Sequence, residues 1–295
     1  MSSPSNETCF QSYSIFHGIP YILFPDNPFS PINPITRTRD DRIQLWIHLG
    51  LVGICLILSL INIILQFLKP IPYGRHDKEI GIFPRVPARI SFAISQFIPG
   101  ILIFSLTYFL QRNFNRPSNI VMYCLFIIHY INRSIVDGIA SRHAKRKVSL
   151  WIPVAATLVN TIFHFVNAQF LGEAQYCNGY YFDPRFIIGL MFFITGFILN
   201  RVADGQLIAL RSDYKDDSYQ IPKAATFYLI SCPNYLGEAI EWFGWSILTW
   251  SLSGLVWFLF SLSTFIPRAR QNHKWCNHNL KDYPEKRKAL VPFIY

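Results

Sequence analysis

Residues 234–251 read NYLGEAIEWFGWSILTWS, and residues 251–267 continue as SLSGLVWFLFSLSTFIP. The whole stretch is apolar enough for a bilayer, yet two carboxylates, Glu238 and Glu241, sit near its start. A span needs about 20 apolar residues. Leu236–Pro267 is too long for one crossing and fits two. On a helix, Asn234, Glu238, Glu241 and Trp245 form one polar stripe, and Gly237 admits a second backbone at close range. Two like charges three residues apart repel, so at least one needs a cationic or amide partner. The plain reading is a clamp between helices. The functional one is the wall of a polar ligand site.

The rest of the chain fits a membrane setting. Of its 295 residues, 51% are hydrophobic, 16% aromatic and only 15% charged. A soluble domain carries about 25% charged residues. Further apolar runs cover 45–68, 90–110, 118–132, 148–171 and 186–200, the last of them short. The expectation is an all-α polytopic membrane protein with seven transmembrane helices. Residues 1–43 form a polar tail, 44–267 the membrane domain and 268–295 a basic tail. Segments after spans 1, 3, 5 and 7 hold 5, 4, 4 and 7 Lys/Arg, against 3, 2 and 1 in the N-terminal tail and after spans 2 and 4. By the positive-inside rule the N-terminus is lumenal and the C-terminus cytosolic. The net charge of +10 is then a topology signal and calls for no nucleic acid. No cleavable signal peptide, zinc spacing or internal repeat is visible, and Asn6 heads a glycosylation sequon. Of six cysteines, Cys9 and Cys177 share the lumenal side, and Cys55, Cys124, Cys232 and Cys276 are expected buried or reduced.

Ionisable groups inside spans cost about 2.5–3.5 kcal/mol each on insertion scales, so they face the protein interior or a wet cavity. Besides the opening stretch there are two such groups. In IIHYINRSIVDG (127–138), His129 and Arg133 are four apart, and Tyr130, Arg133 and Asp137 share a face. A self-contained Arg133–Asp137 pair is the plain reading. A neutral tyrosine that polarises a carbonyl beside a cation is the other. In GFILNRVADGQLIALR (196–211), Asn200, Asp204, Leu207 and Arg211 share a face, and Arg201 reads as a snorkelling side chain. All three groups fall toward the predicted cytosolic end. One cavity would bind a charged soluble ligand at its mouth and an apolar substrate deeper in. The loops 69–89 and 201–227 are polar and suit such a ligand.

These motifs resemble the steroid 5α-reductase family. The resemblance covers about 69–295 and rests on LKPIPYGRH, HYINR, NYLGEAIEWFGWSILTWS, PRARQNHKW and DYPEKRKALVPFIY. It implies a seven-helix endoplasmic reticulum membrane reductase that binds NADPH from the cytosol and reduces the C=C bond of an α,β-unsaturated carbonyl. Tyr130 would act on the carbonyl oxygen. Cofactor contacts would fall on Tyr73, Arg133, Asn200, Asp204, Arg211, Tyr219, Asn234, Glu238 and Arg268, with Arg133, Arg211 and Arg268 at the phosphates. Glu241 with Trp242 would support that wall or touch the cofactor. No GxGxxG fingerprint is present, so the cofactor mode would be particular to this fold. The substrate half departs from the family. The glutamate of span 2 is here Phe97, after Gln96. The Asn-Gly-Tyr-Leu-Gln motif is Phe163-His164-Phe165-Val166-Asn167, and the tail's Trp-Tyr is Trp275-Cys276. His164 or Gln96 is the candidate for the missing donor, with a plain buried histidine as the alternative. The substrate expectation is a 3-oxo-Δ4 steroid or sterol-like lipid. A trans-2-enoyl-CoA, a polyprenol, a membrane methyltransferase and a non-catalytic lipid-binding homologue are the alternatives.

Overall fold

A computed structural model describes residues 39–68, 83–137, 147–174, 176, 179–212, 220–223 and 225–295. The fold is mostly helical. In chain order it has α1 (Arg39–Leu68), strand β1 (Arg85–Pro87), α2 (Ala88–Phe97), α3 (Phe104–Phe109), α4 (Pro117–Ile131), strand β2 (Lys147–Ser149), α5 (Trp151–Glu173), α6 (Pro184–Ser212), α7 (Pro233–Thr249) and α8 (Leu252–Asn279). A π-helical segment, Ile98–Ile103, joins α2 to α3, and a second, Asn132–Val136, extends α4. Among the described residues, six segments are long and apolar enough to cross a membrane: Gln44–Leu68, Ala88–Phe109, Pro117–Val136, Trp151–Glu173, Pro184–Leu210 and Leu252–Asn279.

Local sequence sets these ends. Proline opens α4, α6 and α7, where its missing N–H costs nothing and its φ suits the first turn. Asp183 caps α6: Oδ1 accepts from the Arg185 N–H at 2.9 Å, and the Arg185 guanidinium closes on both carboxylate oxygens at 2.8 and 2.6 Å. Burial alone would raise the Asp183 pKa. The hydrogen bonds and charge of Arg185 outweigh that and hold the carboxyl below its usual range. The long stretch 236–267 does split in two. Trp250 turns left-handed at φ 46, ψ 47, and Ser251 Oγ caps α8 by accepting from Gly254 N at 2.9 Å.

Two expected boundaries move. The fifth segment is not short: α6 runs 29 residues. Arg201 and Asp204 end the apolar run in sequence, but they are paired within the fold, so the helix passes through them. α8 likewise continues through Pro267 to Asn279. The helix α7 has 17 residues, fewer than the six segments above.

Glycines bring α6 and α7 together. Gly189 and Gly196 on α6 are seven apart, as are Gly237 and Gly244 on α7. A Cβ on Gly196 would lie 2.3 Å from Glu241 N, and one on Gly237 would lie 2.5 Å from Asn200 N. A Cβ on Gly189 would meet Leu248 N at 2.4 Å, and one on Gly244 would meet Phe193 N at 2.4 Å. The pairs run in opposite order, so the helices are antiparallel with backbones in contact. Small residues are how membrane helices approach this closely.

The same ends of the helices hold the polar groups. The antiparallel strands pair Arg85 with Ser149 and Pro87 with Lys147, which places the starts of α2 and α5 side by side. Arg201 of α6 reaches Asp137 past the end of α4. Gln66, near the end of α1, accepts from Gln271 and Arg268 of α8 at 2.7 and 3.3 Å. The tail returns to the start of α7: Ile230 bridges Lys288, and Ser231 Oγ lies 2.7 Å from both His273 Nδ1 and Tyr283 Oη. The sequence's three polar groups do converge on one end. Cys55 and Cys124 are free thiols, Cys55 buried and Cys124 exposed; Cys232 is buried and Cys276 half-buried. Asn6, Cys9 and Cys177 lie outside the described residues.

Candidate active site

Arg133, Arg201, Asp137, Asp204 and Glu238 form one network at that end. Arg133 Nη1 lies 3.4 Å from Asp137 and 3.6 Å from Asp204, and its Nη2 lies 3.2 Å from Glu238 Oε2. Arg201 meets Asp137 at 2.5 and 3.1 Å, Asp204 at 3.1 Å and Asn200 Oδ1 at 2.5 Å. Asn234 Nδ2 donates to Asp204 at 3.0 Å, and Asn200 Nδ2 to the Asn234 carbonyl at 2.9 Å. Two guanidiniums thus face three carboxylates.

This changes two sequence readings. Arg133 is not in a private pair with Asp137. Arg201 does not snorkel; its head turns inward and bridges α4 and α6, because two partly buried carboxylates there outbid water. Neither Arg201 nor Asp137 is singled out as a site residue by the sequence, and the clue was there: Asp137 shares a face with Tyr130 and Arg133, and Arg201 stands three residues before Asp204. Removing Arg201 leaves Asp137 and Asp204 short of a cation. An Arg201→Met protein should lose about 3 kcal/mol in equilibrium unfolding from mixed micelles, in line with breaking a buried pair.

The two glutamates of α7 find different partners. Glu238 takes Arg133, at ion-pair distance but without hydrogen-bond alignment on Oε2. Glu241 is fully buried and its Oε1 lies 2.7 Å from His129 Nδ1. The anticipated repulsion is resolved by a cation for one and an imidazole for the other. Glu238 Oε2, Glu241 Oε2 and Trp242 Nε1 have no hydrogen-bond partner among the described residues. Trp245, the end of the predicted stripe, donates to Asn167 Oδ1 of α5 at 2.9 Å and serves helix packing.

Deeper in lies Tyr130. Its ring is buried and its hydroxyl is 2.7 Å from His164 Nε2. Gly100 lies under it: a Cβ there would come within 2.1 Å of Tyr130 Cδ1. Pro99, in the same segment, cannot donate to the preceding turn, and the helix widens there into its π form. Both π segments therefore adjoin Tyr130, one under its ring and one just after it. Gln96 and Phe97 close α2 half-buried, and among the described residues neither hydrogen-bonds to Tyr130 nor packs ring to ring against it. Arg268, on α8, donates to Gln66, and Tyr235 lies within electrostatic reach of Arg268, Arg133 and Asp204. Tyr73 and Tyr219 lie outside the described residues. Arg211 lies in the last turn of α6, with its side chain outside the description.

The fold and site thus define a multi-pass helical membrane protein with a buried tyrosine–histidine pair under an acidic network. The family model described as 3-oxo-5-alpha-steroid 4-dehydrogenase matches residues 147–295. The chain is 34% identical over 241 residues to steroid 5-alpha-reductase DET2 of Arabidopsis thaliana, covering 79% of this chain and 90% of that protein. It is 34% identical over 228 residues to 3-oxo-5-alpha-steroid 4-dehydrogenase 1 of Rattus norvegicus (76% and 86% covered). It is 30% identical over 247 residues to 3-oxo-5-alpha-steroid 4-dehydrogenase 2 of Mus musculus (83% and 96%). The chain belongs to the steroid 5-alpha-reductase family, whose members are NADPH-dependent oxidoreductases acting on CH–CH groups. This removes the methyltransferase alternative.

Proposed function

We propose that this protein reduces the C=C bond of a 3-oxo-Δ4 steroid or sterol-like lipid in the endoplasmic reticulum membrane, using NADPH. The observation that carries the reading is Tyr130: a hydroxyl in a dry interior, hydrogen-bonded on one side, next to a network rich in acceptors. NADPH, when bound, supplies the hydride that adds to the β-carbon of the enone. The chain's own task is to hold the carbonyl and stabilise the charge that collects on its oxygen. Tyr130 does this as a neutral donor in a low-dielectric site, where one such hydrogen bond is worth about 2.7–4 kcal/mol in the transition state.

The residues fit the cofactor with a change of role. Three carboxylates against two guanidiniums would repel a pyrophosphate. The same excess, with Glu238 Oε2 and Glu241 Oε2 lacking donors, suits ribose hydroxyls and a carboxamide N–H₂. Asn200, Asp204, Asn234 and Glu238 would hold that end, with Arg133 neutralising the acids. The phosphates would then belong to Arg268, Arg211, Tyr73 and Tyr219. We also take α7 as a seventh span, since it follows α6 antiparallel from Asn200 to Gly189. The basic segments then place the polar end in the cytosol and the N-terminus in the lumen. The domain limits 1–43, 44–267 and 268–295 stand as part of this reading, although α8 bridges the last boundary.

The test is turnover by the full chain in microsomes with NADPH and, separately, a 3-oxo-Δ4 steroid, a long-chain trans-2-enoyl-CoA and a polyprenol. Mass spectrometry should show the steroid gaining two hydrogens. A product only from the thioester or the polyprenol would make Phe97 a mark of a different lipid substrate. Absence of NADPH binding would overturn the reading.

A further inference from the structure

We propose that His164 is the positioning residue of Tyr130. It donates from Nε2 to the phenol oxygen and so leaves the phenol's own hydrogen free for a substrate carbonyl. The inference rests on the reductase reading above.

The plain alternative is a core histidine that happens to satisfy a buried tyrosine. Several observations favour more than that. The two rings come from different helices, α4 and α5, and both are buried, so the 2.7 Å contact is made by tertiary packing. Neither ring can swing away. Gly100 backs Tyr130. Phe126 lies 4.8 Å from Tyr130 and 5.5 Å from His164, and Trp257 lies edge-on to His164 at 4.9 Å. The other histidine beside Tyr130, His129, is engaged with Glu241. His164 is thus the polar side chain that the described residues hold against Tyr130 Oη. Its far nitrogen, Nδ1, is buried beside the Pro99 carbonyl without a hydrogen bond of normal geometry. Hydrogen on Nδ1 would strengthen that contact, and hydrogen on Nε2 would strengthen the one to Tyr130.

The tautomer decides what the pair can do. With hydrogen on Nδ1, Nε2 accepts from Tyr130, and the phenol's single hydrogen is used up. With hydrogen on Nε2, imidazole donates and the phenol hydrogen points elsewhere. Only the second leaves Tyr130 a donor, and it also supports the phenol oxygen as charge shifts onto it.

The experiment compares four full-length proteins in microsomes: wild type, His164→Leu, His164→Gln and His164→Asn, each alone and with Tyr130→Phe. The readouts are kcat, KM for steroid, KM for NADPH and NADPH binding. His164→Leu should lower kcat about 10²-fold, the order of loss that a misplaced reacting group brings. KM for NADPH should not change. Gln, whose amide nitrogen reaches about as far as Nε2, should restore most of the loss. Asn, which is polar but too short, should not. In the Tyr130→Phe background the His164 changes should cost nothing more, because the two groups act as one. Equal rates for Gln and Asn, or losses that multiply in the double variants, would overturn the proposal while leaving the reductase reading intact. Should His164→Leu fail to fold, the Gln–Asn comparison still decides. No turnover by wild type on any enone would overturn the reductase reading and this one with it.

Discussion

Tyr130→Phe should lower kcat for the enone about 10²–10³-fold, the range seen when one donor to a developing oxyanion is removed. NADPH binding should be unchanged, because the acidic network that would hold the cofactor's ribose end does not use the phenol hydroxyl. The substitution also leaves His164 Nε2 unpaired in a dry interior. That costs about 1–3 kcal/mol of stability for a buried group without a partner. The two effects separate by measurement. Stability is read by thermal unfolding in detergent, and the chemical step by single turnover with bound NADPH. If the variant folds, binds NADPH and still reduces the enone at the wild-type rate, the carbonyl is polarised by some other group.

Gly237→Val should prevent the folded protein from accumulating. A Cβ at this position would lie 2.5 Å from the Asn200 backbone nitrogen and 2.8 Å from the Gly196 carbonyl oxygen, and neither atom can rotate away. The helices α6 and α7 would have to separate along the same contact that sets Asn200 against Asn234 and brings Glu241 to His129. Overpacking in a close-packed interior costs about 1–3 kcal/mol when side chains can adjust. Here the obstruction is backbone, so the loss should exceed that range and activity should vanish with the fold. Gly205→Ala is the control: nothing lies within 4 Å of the added Cβ, and the helix should gain about 0.5–1 kcal/mol from alanine. Yield of monodisperse protein from detergent and its unfolding temperature check both. Equal yields for Gly237→Val and wild type would refute the close α6–α7 contact.

Much of this could be read along the chain. The apolar runs mark where helices pass, because a bilayer demands length and the absence of charge. The length of Leu236–Pro267 shows that the last run must split in two, while the place of the break, at Trp250 and Ser251, came from the structure. The stripe Asn234–Glu238–Glu241 is legible from the 3.6-residue period, and so is the need for partners. Gly237 is also marked in the sequence as a candidate for close approach, since a membrane helix admits a second backbone where its residue is small; Gly50 and Gly53 of α1, with nothing within 4 Å of an added Cβ, show that the mark alone does not decide it.

Other features depend on which helices are neighbours, and no period within one helix reports that. The end of the fifth apolar run was misjudged because a charge reads as a boundary until its partner is known. Arg201 stays inside a 29-residue helix where Asp137, past the end of α4, and Asp204 both meet it. Arg133 reads as a phosphate ligand while it has one visible acid; that Asp137, Asp204 and Glu238 all surround it is visible only in the tertiary structure, and on that we rest its proposed role of neutralising them.

By itself, then, the sequence determined a helical membrane protein of this reductase family with its polar groups gathered at one end, since these follow from hydropathy, periodicity and contiguous motifs. The tertiary structure alone decided that Glu241 goes to His129 and Glu238 to Arg133. It alone set His164, 34 residues from Tyr130, against the phenol that would touch the substrate. Those partnerships arise from close packing between different helices, and a hydrogen bond forms or fails on a few tenths of an ångström that no residue pattern encodes.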